Sequence, residues 1–204
     1  MRQFATIISF LFHPIFLPTT ALLMVFGLDT YISQTTPFSK QVFIVFWIFV
    51  NTALIPLIFT LFLRWRGLVK SIQLDDREDR IVPFSFTLLF YLTNYYLMKD
   101  VALPPIIYSL FLGSTLSVGA ALAFTFFTKI SIHMIGMGGI SATVYVLAMV
   151  NGMPITGIFI ALLLLSGIVG SARIALDSHN LMQLCLGWGV GFLAVFLPGI
   201  MGWG

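Results

Sequence analysis

The chain has very few charged residues and a single cysteine, and both shortages restrict what it can be. Charged residues make up 8% of the 204 positions, whereas hydrophobic residues make up 59%. No polar stretch is long enough for a soluble domain, and several apolar runs are of bilayer-spanning length, which predicts an integral membrane protein. The one cysteine, Cys185, excludes an internal disulfide. We expect it to be a small, buried hydrophobic residue.

Signals for nucleotide or nucleic-acid binding are missing. The chain contains no GxxxxGK[ST] phosphate loop. Its ten Lys and Arg residues give a net charge of +3 but form no continuous basic stripe, and in a membrane protein such cations are expected at the lipid interface. We therefore expect no nucleic-acid partner. Two groups of glycines instead predict close packing between helices. These are Gly136, Gly138, Gly139, Gly187, Gly189 and Gly191.

Seven apolar segments predict an all-α, polytopic transmembrane helix bundle with six to seven spans. A span needs about 20 residues at a rise of about 1.5 Å each. The third segment is well short of this, so it is a tilted span, a re-entrant piece or an interfacial helix. We expect a single domain, 1–204, in which the core 64–201 carries the polar motifs and extra N-terminal helices occupy 4–63. The segments are 4–27, 41–63, 84–98, 105–127, 132–150, 154–170 and 180–201.

Seven spans would place most of the cations at one end of the bundle. This end would hold the N-terminus, the polar loop 64–80, Lys129 and the segment 173–179, whereas Lys40 and Lys99 would lie at the other. The excess of cations predicts that the first end faces the cytoplasm. Ionisable groups close to lipid are costly and usually mark a site. We therefore expect the functional site at this end.

Two histidines at the cationic end suit the chemistry of a phosphate ester. Such chemistry needs cations and N–H donors for the phosphoryl oxygens, a nucleophile, and an acid for the leaving oxygen. Histidine can fill the last two roles near neutral pH. His133 begins the fifth segment and His179 precedes the last. Gln183, four positions after His179, would share its helical face and could accept a hydrogen bond from the imidazole N–H.

Three short motifs resemble those of the type 2 phosphatidic acid phosphatase (PAP2) superfamily. The family pattern is K-x6-R-P, P-S-G-H and S-R-x5-H-x3-D, in that order along the chain. The order and the separations of the motifs are similar here, and Gly187 matches a glycine that is common after the third motif. The corresponding residues are Lys70-x6-Arg77, Ser131-Ile132-His133 and Arg173-x5-His179-x3-Gln183.

The chain departs from the family pattern at two important positions. Arg77 is followed by Glu78 and not by proline, whereas Arg80 stands three residues before Pro83. Arg77 and Arg80 therefore compete for one phosphate-binding role, and the spacing favours Arg77. Gln183 stands where the family has aspartate. A neutral amide can orient a histidine but cannot stabilise an imidazolium as a carboxylate does.

The resemblance implies a phosphatase that uses no metal and no cofactor, in a small bacterial protein of the inner (cell) membrane. His179 would attack phosphorus to form a phosphohistidine, and His133 would protonate the leaving oxygen. The implied substrate is a lipid phosphate or a prenyl diphosphate, with membrane lipid as the other partner. The resemblance favours an extracytoplasmic site, in conflict with the charge distribution. The residues implied to hold the phosphoryl oxygens are Lys70, Arg77, Arg80, Ser131 and Arg173.

Two other functions stay open from the sequence. Gln183 and the altered first motif fit a catalytically impaired PAP2-like protein that binds or transports lipids. The run from Asp75 to Asp79 loosely resembles an Asp-rich motif of Mg-dependent, UbiA-type prenyltransferases, although a second such motif is missing. His13, next to Pro14, is either a third histidine of the site or a hydrogen-bonded histidine at a helix kink.

Overall fold

A computed structural model of the protein describes residues 2–72, 74, 76–98, 101, 103–154 and 156–202. These residues contain ten α-helices and no strand. In chain order the helices are α1 (Arg2–Leu11), α2 (Leu17–Gly27), α3 (Tyr31–Thr35), α4 (Phe38–Phe49), α5 (Ile55–Trp65), α6 (Ile81–Met98), α7 (Pro105–Thr125), α8 (Ile132–Asn151), α9 (Thr156–Ala175) and α10 (Leu181–Met201).

Within the described residues, seven helical segments are long and apolar enough to cross a membrane. The predicted all-α polytopic bundle is therefore confirmed, and the protein is an integral membrane protein. α1 with α2, and α4 with α5, each form one bent span. The third segment is also long enough, because a turn at Glu78–Arg80 precedes α6 and the two together give 21 residues.

The α-helix is interrupted close to a proline in each of the first two spans. Pro14 begins a 3-10 turn between α1 and α2. In the second span a π-helical turn, Val50–Leu54, precedes Pro56. Pro56 has no N–H to donate to the Thr52 carbonyl four residues earlier. The Tyr91 hydroxyl of α6 donates to that carbonyl at 3.2 Å, so a neighbouring helix satisfies the acceptor that the proline leaves open.

α8 is the central helix of the bundle. Of its apolar span, 78% is buried, against 39% or less in each of the other six. Its closest neighbour is α10, because glycines let the two backbones approach. A Cβ on Gly191 would lie 1.8 Å from the Ile135 carbonyl oxygen, and one on Gly138 would lie 2.1 Å from that of Trp188. The predicted glycine packing is confirmed at both positions. It is wrong for Gly189, which meets nothing within 4 Å.

Cys185 is exposed on α10, so the prediction of a buried cysteine is wrong. The face of α10 that packs inward contains Leu184, Gly187 and Gly191, all of them buried. Cys185 follows Leu184 directly and therefore lies outside this face. In a membrane protein the outer surface of a span is itself apolar, so hydropathy alone did not separate the two faces.

Polar contacts join the loops at one end of the bundle. Arg2, at the start of α1, pairs with Asp177 in the α9–α10 loop at 2.7 Å. Arg80, before α6, donates to the carbonyl of Ile130 just before α8. The N-terminus, the polar loop and the segments that precede α8 and α10 therefore meet, as seven spans predict.

Candidate functional site

His179 lies in the turn before α10, and two acceptors determine its orientation. Its Nδ1 is 3.1 Å from the side-chain oxygen of Gln183 and 3.1 Å from the carbonyl oxygen of Lys129. Because both oxygens only accept, Nδ1 carries the proton and donates it to them. The lone pair of the neutral ring is therefore on Nε2. That atom is buried and has no hydrogen-bond partner among the described residues.

A capping box at the start of α10 holds the Gln183 side chain in place. The Asn180 side chain accepts from the Gln183 N–H at 2.9 Å, and the Gln183 side chain accepts from the Asn180 N–H at 3.3 Å. The same Gln183 oxygen also reaches His179, so the contact expected from their spacing is present. The capping box itself is an additional finding, and Asn-x-x-Gln before an apolar run is its sequence signal.

Three cations surround the His179 imidazole. Burial lowers the pKa of His179 to about 4; the hydrogen bond with Gln183 opposes this change, and the charges of Arg80, Arg173 and Lys129 add to it. His179 is therefore neutral near pH 7, which is the form that a nucleophile or a base requires. Lys129 was not among the residues predicted for the site.

The start of α8 is joined to the start of α10 through Ser131. The Ser131 N–H donates to the Gln183 carbonyl at 3.4 Å. Ser131 is the N-cap of α8, but its side chain does not cap the helix. Its hydroxyl oxygen is buried and has no partner within the part of the chain that is described. The first turn of α8 and this hydroxyl are groups that favour an anion.

His133, in the first turn of α8, is held by α1. Its Nε2 lies 3.1 Å from the carbonyl oxygen of Ser9 and donates to it. The Ser9 hydroxyl accepts from Arg173 at 3.2 Å, so one residue of α1 connects two predicted site residues. Arg173 and His179 both act electrostatically on His133. We call Ser9, Ser131, His133, Arg173 and His179 the histidine cluster.

Arg80 is the buried cation of the polar loop. It is 2% exposed, and its guanidinium donates to the carbonyls of Leu74 at 2.8 Å and Ile130 at 3.0 Å. Leu74 is itself buried with a left-handed φ of 52°, a conformation that costs a β-carbon-bearing residue energy. Arg80 therefore holds a strained loop against the segment before α8 and also brings its charge close to His179.

Lys70 and Arg77 are exposed on the surface of the loop. Lys70 pairs with Asp76 at 2.6 Å, and this hydrogen bond raises the pKa of Lys70 and lowers that of Asp76. Neither Lys70 nor Arg77 is among the charges that act on His179. Of the residues predicted to hold phosphate, the structure brings Arg80, Ser131 and Arg173 together and leaves Lys70 and Arg77 outside.

The acidic residues of the loop contact the same lysine. Asp79 accepts from the backbone N–H of Lys70 at 2.7 Å, and Asp76 pairs with its side chain. Asp75, the other member of the suggested prenyltransferase motif, lies outside the described residues. Among the residues that are described, no three His, Cys, Asp or Glu side chains are grouped so that they could share a metal ion.

His13 reaches the histidine cluster from the kink between α1 and α2. Its ring packs edge to face against His133 with centroids 5.6 Å apart. Its Nδ1 accepts from the Ile15 N–H at 3.4 Å. The residue is therefore a hydrogen-bonded histidine at a helix kink, which is one of the two alternatives left open by the sequence. It also contacts a histidine of the cluster, as the other alternative requires.

A cavity of about 210 Å³ starts beside His13 and Ile132 and continues between α2, α5, α6, α7 and α8. Its wall on α8 runs from Ile132 to Thr143, which is about 16 Å at a rise of about 1.5 Å per residue. The hydroxyls of four wall threonines donate to carbonyls of their own helices, so the wall is effectively apolar. These threonines are Thr52, Thr60, Thr87 and Thr143.

The fold and the cluster define a class of protein: a polytopic helical membrane protein with two buried histidines and neighbouring cations at one end. No family model, curated protein or solved structure matches the chain. The resemblance to the PAP2 superfamily therefore stays a prediction based on the three motifs.

Proposed function

We propose that the protein is a membrane-embedded, metal-independent phosphatase that hydrolyses a lipid phosphate or a prenyl diphosphate through a phosphohistidine. The observation that carries the proposal is the state of His179. Its Nδ1 proton is held by Gln183 and Lys129, and its Nε2 is buried without a partner in the described part of the chain. A buried polar atom without a partner costs about 1–3 kcal/mol. A phosphorus atom is an electrophile that this lone pair can attack.

The surrounding charges support an anionic substrate. Arg80, Arg173 and Lys129 act on His179, and cations placed around a transferring phosphoryl group stabilise the charge on its oxygens. The Ser131 hydroxyl and the first turn of α8 add donors and a positive partial charge. In this proposal Lys129 supplies charge that the motif comparison assigned to Lys70.

Two steps complete the reaction. First, Nε2 of His179 bonds to the terminal phosphorus while the bond between this phosphorus and the leaving oxygen breaks. The leaving oxygen belongs to the lipid alcohol in a lipid phosphate and to the prenyl phosphate in a prenyl diphosphate. The electron pair leaves with that oxygen, which takes a proton that the phosphate group of the substrate has first given to Nδ1 of His133, while Nε2–H stays on the Ser9 carbonyl. In the second step water attacks the phosphohistidine, and its proton returns to His133. The bond between nitrogen and phosphorus then breaks and releases inorganic phosphate.

The cavity supports a substrate with a hydrocarbon chain. Its length of about 16 Å along α8 is close to half of the roughly 30 Å hydrocarbon core of a bilayer. Its lining includes His13 and Ile132, next to the cluster, and most of its wall is apolar. A lipid phosphate bound at the cluster could therefore insert one chain to about the middle of the membrane.

The test is phosphate release by the purified protein in detergent with EDTA. The substrates are phosphatidic acid, phosphatidylglycerophosphate and undecaprenyl diphosphate. We expect release from at least one of them, and a loss of roughly 10⁴-fold or more in His179→Ala, because the nucleophile is gone. Lys40→Ala, at the opposite end of the bundle, is the matched control and should keep wild-type activity. Turnover that survives His179→Ala would falsify the proposal.

A lipid-binding protein without turnover is the second candidate, and the neutral Gln183 beside His179 favours it. In that case phosphatidic acid would bind with no release of phosphate, and Gln183→Asp would be expected to introduce turnover. Activity that appears only with Mg²⁺ and disappears in Asp75→Asn would instead indicate the prenyltransferase.

A further inference from the structure

His13 has no role in the two steps above, yet it lies where the cluster and the cavity meet. Among the described residues that line the cavity it is the only histidine. On its other side its ring contacts His133 at 5.6 Å between centroids, and Arg173 acts on it electrostatically. It comes from the bent first span, outside the region that carries the three motifs.

The neutral rings of His13 and His179 carry their protons on different nitrogens. In His179 the proton is on Nδ1, whereas in His13 it is on Nε2. A backbone N–H always donates, so Nδ1 of His13, which faces the Ile15 N–H at 3.4 Å, is an acceptor. The proton is therefore on Nε2. His179 offers a lone pair at Nε2, whereas His13 offers a hydrogen-bond donor there. A neutral imidazole N–H can stabilise an oxygen that becomes negative in a reaction.

The oxygen that becomes negative joins the phosphorus atom to the lipid chain. If phosphorus lies at Nε2 of His179 and the chain enters the cavity, this oxygen lies at the boundary between them. His13 occupies that boundary, because it contacts His133 on one side and lines the cavity on the other.

We propose that His13 is a further catalytic residue, an inference that rests on the proposed phosphatase function. Its Nε2–H donates a hydrogen bond to the leaving lipid oxygen as the bond to phosphorus breaks. His13 keeps its proton throughout, and the proton that completes the lipid alcohol comes from His133. The substrate class is therefore a phosphate ester of an alkyl or prenyl alcohol, whose leaving oxygen needs this stabilisation.

The experiment compares two leaving groups in His13→Asn. The Asn oxygen can take the place of Nδ1 and keep the cap on Ile15, but the side chain is too short to reach the position of Nε2. Phosphatidic acid has a strongly basic alkyl leaving oxygen, and p-nitrophenyl phosphate has a weakly basic aryl one. We expect the rate on phosphatidic acid to fall about 10²–10³-fold, as for loss of one donor to a developing oxyanion, and the aryl rate to fall less than about tenfold.

Two further variants make the comparison specific. Thr20→Ala changes a hydroxyl of the same span that bonds only its own helix, at the Phe16 carbonyl, and should keep the wild-type ratio of the two rates. If His13→Asn does not purify as a folded protein, His13→Ser replaces it, because Ser is also an N-cap residue and is shorter still. The same change in ratio is then required.

Failure of this inference can be distinguished from failure of the proposed function. If wild type is active and His179→Ala is not, but removal of His13 lowers both rates equally or neither, the inference is overturned and the phosphatase stands. If wild type releases phosphate from none of the lipid substrates, or His179→Ala remains active, the proposed function fails, and with it the role of His13. If wild type acts only on undecaprenyl diphosphate, whose leaving oxygen belongs to a phosphate group, the inference is overturned and the phosphatase stands.

Discussion

The polar loop (residues 64–80) and the histidine cluster lie at the same end of the bundle but differ in how their polar atoms are satisfied. In the loop, the Lys70 and Asp76 side chains are 78% and 55% exposed and pair with each other. In the cluster, Ser131, His133 and His179 are at most 7% exposed, and each has a side-chain atom without a partner among the described residues. Exposed pairs are nearly neutral for stability, whereas buried atoms without partners are costly. Folding does not explain the buried atoms without partners, and this contrast supports the proposal that the cluster, and not the loop, is the functional site.

The sharpest test of this contrast compares the two arginines of the loop. Arg80→Met removes the donors to two buried carbonyls, at Leu74 and Ile130, and should lower the free energy of unfolding by roughly 3 kcal/mol or more, at 1.5–3 kcal/mol per charged hydrogen bond. Arg77→Met, at the exposed position, should change it by less than about 0.5 kcal/mol. Thermal unfolding in detergent, followed by tryptophan fluorescence, measures both. Equal effects would mean that burial does not distinguish the two residues.

The contact that positions the cluster can be weakened directly at α10. A Cβ in Gly191→Ala would overlap the Ile135 carbonyl, so α8 and α10 must separate, at a cost of about 1–3 kcal/mol. Gly189→Ala meets open space and should be neutral or stabilising by up to about 1 kcal/mol, because Ala favours helix. Unfolding midpoints of the two variants give the comparison. Similar midpoints would contradict the close approach of the helices.

The pH dependence of catalysis tests the environment of His179. The reactive form is neutral, so activity is lost as the pH falls through the pKa of His179, which burial lowers to about 4. In wild type this ionisation should cause no loss of kcat/KM between pH 7 and 5.

Gln183→Asp would place a carboxylate on the Nδ1 proton. This change should raise the pKa of His179 by roughly 1–3 units and move the acidic limb of kcat/KM to higher pH. The comparison uses one substrate, because its own ionisation is then common to both proteins. A limb that stays in place or moves to lower pH would show that Gln183 does not act on the ionisation of His179.

The smallest effect is expected at Lys70. Its charge is exposed and already paired with Asp76, so Lys70→Ala should leave the unfolding midpoint and kcat/KM almost unchanged. Arg173→Ala, inside the cluster, is the comparison and should raise KM for phosphatidic acid substantially. A loss in Lys70→Ala as large as in Arg173→Ala would mean that the loop closes over the substrate and that the role suggested by the motif is correct.

Hydropathy was sufficient for most of the architecture. The bilayer requires about 20 apolar residues per span, so the seven segments could be located from local sequence, and prolines marked the bends. The short third segment was ambiguous because the turn at Glu78–Arg80 adds charged residues to its start. Cys185 was placed wrongly because a span is apolar on both its lipid face and its packed face.

One contact of the candidate site could be predicted from local sequence, whereas the others depend on tertiary packing. The spacing of four residues correctly predicted the contact between Gln183 and His179. His179 nevertheless lies in the turn before α10, and the capping box, not a shared helical face, holds Gln183 against it. The contacts of Arg80 with Ile130, and of Ser9 and His13 with His133, join segments far apart in sequence. No local pattern encodes such contacts, because they depend on which helices pack together.

The membrane-spanning class, six of the seven spans and the cationic end therefore follow from residue order alone, since transfer into lipid is a local property of each segment. The choice of Arg80 over Arg77 as the buried cation, and the position of His13 between His133 and the cavity, follow only from tertiary packing. Burial is a property of the assembled bundle: a cation next to α6 is either inside or outside according to the helices that surround it.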